Sequence, residues 1–254
     1  MAALETDVVG AGPRLVLAHG FTQTARLWGP FGATLARHHE LVRVDLPGHG
    51  GSSGVQADLA GAGALLVEAG GDDPAPFDLL GYSLGARVAL HAALARPERI
   101  RRLVLIGATA GIEDDDARQQ RCRRDEAMAD ALEADGDLAG FIRRWLSASM
   151  FAGLRNAGLE ERLRNTPAGL ASSLRLAGTG TQAPLWDRLG EIGLPVLVLV
   201  GADDARFTAA GSLMASSLEN AVFSLVPGAG HAAHLAQPAL TARLVERFLA
   251  PDDH

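Results

Sequence analysis

The sequence predicts an α/β fold, with a mostly parallel, doubly wound sheet and an inserted helical lid. Three observations carry this expectation. Short apolar runs bounded by turn residues recur along the chain, and their near-continuous hydrophobicity suits strands buried on both faces. Helical stretches lie between those runs, as the alternation of a parallel sheet requires. From Ile112 to about Leu189 the rhythm breaks, and the chain turns charged and helical over a length that no ordinary loop reaches.

In chain order, the strand candidates are Leu15 to Ala18, Leu41 to Val44, Asp78 to Leu80, Leu103 to Ile106, Val196 to Val200 and Val222 to Val226. Leu84 to Ala95 and Leu240 to Leu249 read as helices that cover the sheet. The broken stretch contains the helical runs Asp114 to Ala134 and Leu138 to Leu146. The expected division is a core of residues 1–111 and 190–254 with a lid over 112–189. No internal repeat is visible, and Pro251 to His254 reads as a loose tail.

Composition narrows the function. Of the 254 residues 48% are hydrophobic and 21% charged, the balance of a globular chain with a sizeable core. All 23 cationic side chains are arginine. Without lysine there is no amine for an internal aldimine and no phosphate loop of the Gly-rich Lys-Ser/Thr type. Most of that bias fits an Ala- and Gly-rich chain. A net charge of −7 argues against nucleic acid, which needs a basic face. Cys122 is the one cysteine, which excludes an internal disulfide or a multi-cysteine zinc site. Neither a secretory pattern near Met1 to Arg14 nor an apolar run of about 20 residues is present, so the expected compartment is the cytoplasm.

The strongest chemical motif is Gly81-Tyr82-Ser83-Leu84-Gly85, which follows a strand candidate and opens a helix. That context is required of a nucleophile elbow, where small neighbours permit a sharp turn and the serine oxygen stands above the sheet edge. A chance match in a glycine-rich chain would not bring the strand and helix with it. Serine needs a base, and His231 follows the last strand candidate, at the same carboxyl edge. His234 is the fallback, while His91 lies within the helix after Ser83. The acid that orients the imidazole is Asp203 or Asp204, and the other aspartate is free to cap the next helix. His19-Gly20-Phe21, after the first strand candidate, can supply an N–H from Phe21 to an oxyanion, with a second from Leu84.

These motifs, with Asp45-Leu46-Pro47-Gly48-His49-Gly50 and Gly228-Ala229-Gly230-His231, make the chain resemble the α/β-hydrolase superfamily over essentially its whole length. The superfamily spacing Gly-x-x-Asp matches Gly201-Ala202-Asp203-Asp204 and favours Asp204. A finer likeness joins the chain to the menaquinone-pathway lyases of that superfamily. It rests on Gly81 through Arg87, Gly111-Ile112-Glu113, Arg118, Arg121 and Asp125, then Trp145, Met150 through Leu154, Arg162 through Asn165, and Gly178 through Gln182. Ala86 and Ala202 depart from the pattern, and neither is a triad member.

Arg87 stands one helical turn after Ser83, where an ordinary esterase has no need of a guanidinium. Eleven of the 23 arginines lie between Ile112 and Arg188. The likeness implies that Arg87, Arg121 and Arg162 grip a polycarboxylate, with Arg164 as the fallback for Arg162. It implies also that Tyr82 and Trp145 line the pocket. Arg118, Arg123, Arg124, Arg143 and Arg144 read instead as a solvated helix face, the usual place of charged side chains on a helix. The implied reaction eliminates pyruvate from a cyclohexene tricarboxylate with Ser83, His231 and Asp204 as the base, and no metal or cofactor. A serine hydrolase with Ser83 as covalent nucleophile and a non-catalytic binding protein are the alternatives.

Overall fold

In a computed structural model that describes residues 3–154 and 157–250, seven strands form one sheet in the order β1-β3-β2-β4-β5-β6-β7. Six of them, β2 (Arg14–Ala18), β3 (Glu40–Val44), β4 (Phe77–Tyr82), β5 (Ile100–Ile106), β6 (Val196–Gly201) and β7 (Ala221–Val226), contain the expected runs and pair in parallel. Every residue of β4 and β6 is buried, as apolar runs without alternation should be. The seventh, β1 (Thr6–Val9), was not among the strand candidates. It pairs antiparallel with β3 at the sheet edge, half-exposed, and its four alternating residues offer no apolar run to find. The tail at Pro251–His254, like Met1, lies outside the described residues.

Helices cover both faces. On one side lie α1 (Gly29–Leu35) and α10 (Pro238–Leu249), which pack against each other; on the other lie α2 (Leu59–Ala69), α3 (Leu84–Ala95) and α8 (Ala205–Ser217). Short α9 (Ala233–Ala236) precedes α10. Between β5 and β6 run α4 (Asp115–Asp135), α5 (Leu138–Leu146), α6 (Leu159–Arg162) and α7 (Pro167–Ala177), with no strand among the described residues. Local chemistry sets their ends. The side chains of Asp114, Asp137 and Thr166 accept from the N–H groups of Ala117, Gly140 and Gly169 at the first turns of α4, α5 and α7. Phe141, Ile142, Leu146, Leu170 and Leu174 give this layer a small core of its own.

The order of strands locates the site. The chain passes from β2 to β3 on one side, then returns to β4 on the other side of β2. Loops leaving β2 and β4 therefore diverge and open a crevice at their carboxyl ends. Register places Ala18 beside Gly81 and Tyr82 beside Ile106, so that His19-Gly20-Phe21 and Ser83 share one edge.

Candidate active site

Ser83 alone makes the turn from β4 into α3, with φ 52° and ψ −105°. That backbone is uncommon for an L-residue and costs on the order of 1–3 kcal/mol, so the surroundings must hold it. Ser83 N–H donates to Ile106 O (2.9 Å), and Arg87 N–H donates to Ser83 O (3.1 Å). The glycines are there for proximity. A side chain on Gly81 would strike the carbonyl of Gly85 and the Cα of Ala86, and one on Gly85 would strike the carbonyls of Ala18 and His19. Both contacts draw the helix start onto the ends of β2 and β4.

The serine oxygen lies 2.9 Å from Nε2 of His231, whose Nδ1 lies 3.1 Å from Oδ2 of Asp204. With an acceptor carboxylate at Nδ1, the network assigns the ring proton there and leaves Nε2 to accept from the serine hydroxyl. All three converge from the carboxyl ends of β4, β6 and β7. The imidazole is 2% exposed and packs on Phe207 (centroids 4.2 Å apart) and Tyr82 (5.4 Å).

Between the two aspartates the geometry is decisive. Asp204 holds His231 and also caps α8, its Oδ1 accepting from Phe207 N–H at 3.3 Å. The helix cap expected of the other aspartate thus falls on the same residue, because one carboxylate has two oxygens to use. Asp203 is exposed and is held by its backbone, donating to Ala229 O (2.9 Å). His234 does not reach the serine. It is buried among Trp28, Phe31 and Tyr82 with neither ring nitrogen bonded, and burial pushes its pKa down to about 3.

Above the serine, the N–H groups of Phe21 and Leu84 meet no acceptor among the described residues. Leu84 is the first residue of α3, where an N–H has no partner within the helix. For Phe21 the cause is a tethered peptide. The Gly20 carbonyl accepts from His19 Nδ1 (2.9 Å) and from Gln23 N–H (3.0 Å), so the trans N–H of Phe21 points the opposite way. His19 stays neutral, because full burial lowers its pKa to about 4, and its Nε2 accepts from Leu46 N–H at 3.1 Å. This pair is suited to a developing oxyanion.

The cleft beside Ser83 is lined by Arg87, Arg121 and Arg162, and by Tyr82, Trp145 and Phe21. Arg87 is buried and donates to the carbonyls of Ala177 (2.9 Å) and Gly178 (3.2 Å) on the helical layer. Arg121 donates through Nε to Asp125 Oδ1 (2.8 Å). Arg162 donates through Nε to Ala157 O (3.0 Å) and through Nη1 to the Thr22 hydroxyl. Burial lowers the pKa of Arg87 and of Arg162 to about 10, which leaves both charged at neutral pH. Arg164 turns away to pair with Glu161 at 3.0 Å, so the cleft takes Arg162. Trp145 stands edge-on to Phe21 (5.0 Å), and burial raises the pKa of Tyr82.

Arg118, expected on a solvated face, is partly exposed but committed: it donates to Ile112 O (3.0 Å) and Glu113 O (3.2 Å) and pairs with Asp115, pinning the start of α4. Gln23, Ser173 and Arg206 are among the lining residues that no sequence motif marked. Gln23 accepts from Gly20 N–H (3.0 Å), while its Nε2 and the Ser173 hydroxyl are buried and unpaired at the cleft. Arg206, two residues after Asp204, reaches the cleft from the core side. Its position just after Asp204 was the only available signal. Among the described residues no group of His, Cys, Asp or Glu side chains is placed to hold a metal ion, and no helix is long and apolar enough to cross a membrane.

Residues 15–244 match the alpha/beta hydrolase family. The chain is 34% identical to a Bacillus subtilis (strain 168) relative, over 97% of this chain and 94% of that one. A Klebsiella pneumoniae relative named 2-succinyl-6-hydroxy-2,4-cyclohexadiene-1-carboxylate synthase is 33% identical, over 94% of both chains. Among solved structures, MenH from S. aureus superposes with a TM-score of 0.87 at 27% identity over 98% of each chain. A thermophilic esterase from Thermogutta terrifontis superposes with a TM-score of 0.82 at 25% identity, over 97% of this chain and 92% of the esterase.

Proposed function

The chain belongs to the alpha/beta hydrolase family, and within it we propose that it is a lyase of menaquinone biosynthesis. The reaction is elimination of pyruvate from 2-succinyl-5-enolpyruvyl-6-hydroxy-3-cyclohexene-1-carboxylate, giving 2-succinyl-6-hydroxy-2,4-cyclohexadiene-1-carboxylate. Its nearly full-length likeness to the Klebsiella synthase and to MenH supports this reading. The observation that carries it is a cleft lined by four arginines beside the serine, two of which, Arg87 and Arg162, are buried and without an ion pair among the described residues. A buried cation without a counter-charge is costly, and a carboxylate ligand supplies what is missing. The substrate carries three carboxylates, on the ring, the succinyl arm and the enolpyruvyl group.

In this reading Ser83 Oγ takes a ring proton as its own proton passes to His231 Nε2, and Asp204 stabilises the imidazolium. Electron density moves toward the succinyl carbonyl, whose oxygen meets the N–H groups of Phe21 and Leu84. The carbon–oxygen bond to the enolpyruvyl group then breaks, the ring gains its second double bond, and the departing enolate recovers the proton as pyruvate. Arg87, Arg121 and Arg162 hold the carboxylates, and Tyr82 and Trp145 line the ring pocket. Residues 112–189 act as the lid that carries two of these arginines over the core. In this reading the substrate is a small anion, neither membrane nor nucleic acid takes part, and the reaction is cytoplasmic.

The test is incubation with the enolpyruvyl intermediate, following pyruvate release and the absorbance of the diene, with Ser83→Ala as control. Stoichiometric pyruvate is expected from the wild type. No pyruvate, together with turnover of p-nitrophenyl esters and labelling of Ser83 by a fluorophosphonate, would make the protein a serine hydrolase instead.

A further inference from the structure

The turn that aims Phe21 has an unsuitable residue in its third position. Gly20 to Gln23 is closed by the bond from Gln23 N–H to Gly20 O, with Thr22 at φ 67°. A type II turn has glycine or asparagine at that position as a rule, and a β-branched side chain is strained there. Thr22 and Ser83 are the two non-glycine residues of positive φ among those described, and they flank the same reacting point.

Thr22 is held from three sides. Its N–H donates to Nε2 of His49 (3.3 Å), and the imidazole is fixed in turn by its bond to Pro47 O (3.0 Å). The hydroxyl accepts from Arg162, and the carbonyl accepts from Nδ2 of Asn165 (2.9 Å), 143 positions later in the chain. Asn165 also donates to Arg162 O (2.8 Å) and accepts from Gly50 N–H (3.0 Å). It is 5% exposed and does not line the cleft, so its side chain is committed to the scaffold rather than to a ligand.

We propose that Asn165 is a positioning residue: through Thr22 it holds the turn that points the Phe21 N–H at the developing oxyanion. Released, Thr22 relaxes toward negative φ and the turn opens, so the Gly20 carbonyl loses the bond from Gln23 N–H and the Gly20–Phe21 peptide keeps only the tether from His19. The inference rests on the lyase reading above for its kinetic consequence, but not for its structural one.

Asn165→Asp is the incisive variant, since it keeps the shape and the acceptor for Gly50 N–H but cannot donate to Thr22 O. Expected are a fall in kcat of about tenfold with KM within about threefold, and faster deuterium exchange in segment 20–25 with β2 and β4 unchanged. Adding Thr22→Gly should recover most of the lost kcat, because glycine takes φ 67° without help. A residue of merely structural worth would show no such rescue. If the aspartate variant does not fold, Asn165→Ala is read in the same way. Wild-type kcat, a loss confined to KM, or absence of rescue would overturn the proposal. If the wild type itself releases no pyruvate, the lyase reading fails, and exchange in segment 20–25 decides this one alone: unchanged exchange sinks it.

Discussion

On the sheet side of the cleft, Ser83 and the N–H groups of Phe21 and Leu84 are placed by backbone. Strand register, two glycines in collision distance of carbonyls and a tethered peptide do the placing. On the helical side, Arg121 and Arg162, with Arg87 reaching across from α3, are placed by side-chain bonds to carbonyls, one carboxylate and one hydroxyl. The first wall tolerates no added atom but depends little on rotamers. The second depends wholly on where long side chains find acceptors. In the proposed reaction, chemistry that needs sub-ångström aim sits on the rigid wall, and charge recognition, which falls off gently with distance, sits on the adjustable one.

The sharpest way to break the comparison is to remove one group from each wall. Ser83→Ala should lower kcat by about 10³-fold or more while leaving affinity for the intermediate nearly intact, by calorimetry. Loss of binding with loss of turnover would show that the walls are not independent. Next is Gly85→Ala, whose new methyl meets the Ala18 carbonyl. A destabilisation of about 3 kcal/mol is expected in denaturant, with no counterpart when Leu84 is replaced by methionine.

On the adjustable wall, Arg162→Lys keeps a charge but gives up the fork that serves Ala157 O, the Thr22 hydroxyl and a ligand together. A fall in kcat/KM of about 10- to 100-fold, mostly through KM, is expected from steady-state kinetics. Unchanged KM would remove Arg162 from substrate binding.

Acid stability separates the walls again. His19, His49 and His234 are buried, and burial lowers their pKa values to about 4, 3 and 3. The unfolded chain binds protons at these histidines from about pH 6.5 downward while the folded chain does not. Their stabilisation is therefore complete above about pH 6.5 and is lost as pH falls toward 4 and then 3. His234 makes no hydrogen bond, so His234→Phe should flatten the fall of the urea midpoint between pH 6.5 and 4. An unchanged slope would clear His234 of that role. The smallest effect belongs to Arg175, which bridges α7 to Glu126, Asp130 and Glu133 of α4 at the surface. Arg175→Ala should cost no more than about 1 kcal/mol and less in high salt, read as a melting shift of a few degrees.

How much was legible follows from how each feature is encoded. Six strands are buried apolar runs, and α3 (Leu84–Ala95) and α5 (Leu138–Leu146) begin and end where the helical pattern of the sequence puts them. Edge strand β1 escaped because four half-exposed residues bury too little to leave a pattern. Ser83 and His231 are marked by glycine-framed turns, which few other structures require. Asp203 and Asp204 are adjacent and alike, and residue-by-residue reasoning could not choose between them. Arg118 looked like surface because its acceptors are backbone carbonyls, which any sequence supplies.

The sequence by itself determined the fold class and the chain order of the proposed nucleophile, acid and base, since both are written in local patterns of apolarity and glycine. Only the tertiary structure decided which oxygen of Asp204 orients His231 and which caps α8. It alone also put Arg162 rather than Arg164 in the cleft, and tied Thr22 to Asn165 across 143 positions. The reason is physical. A short motif constrains its own backbone, but a contact between distant segments depends on how strands, helices and their crossings close in space, and no local pattern carries that sum.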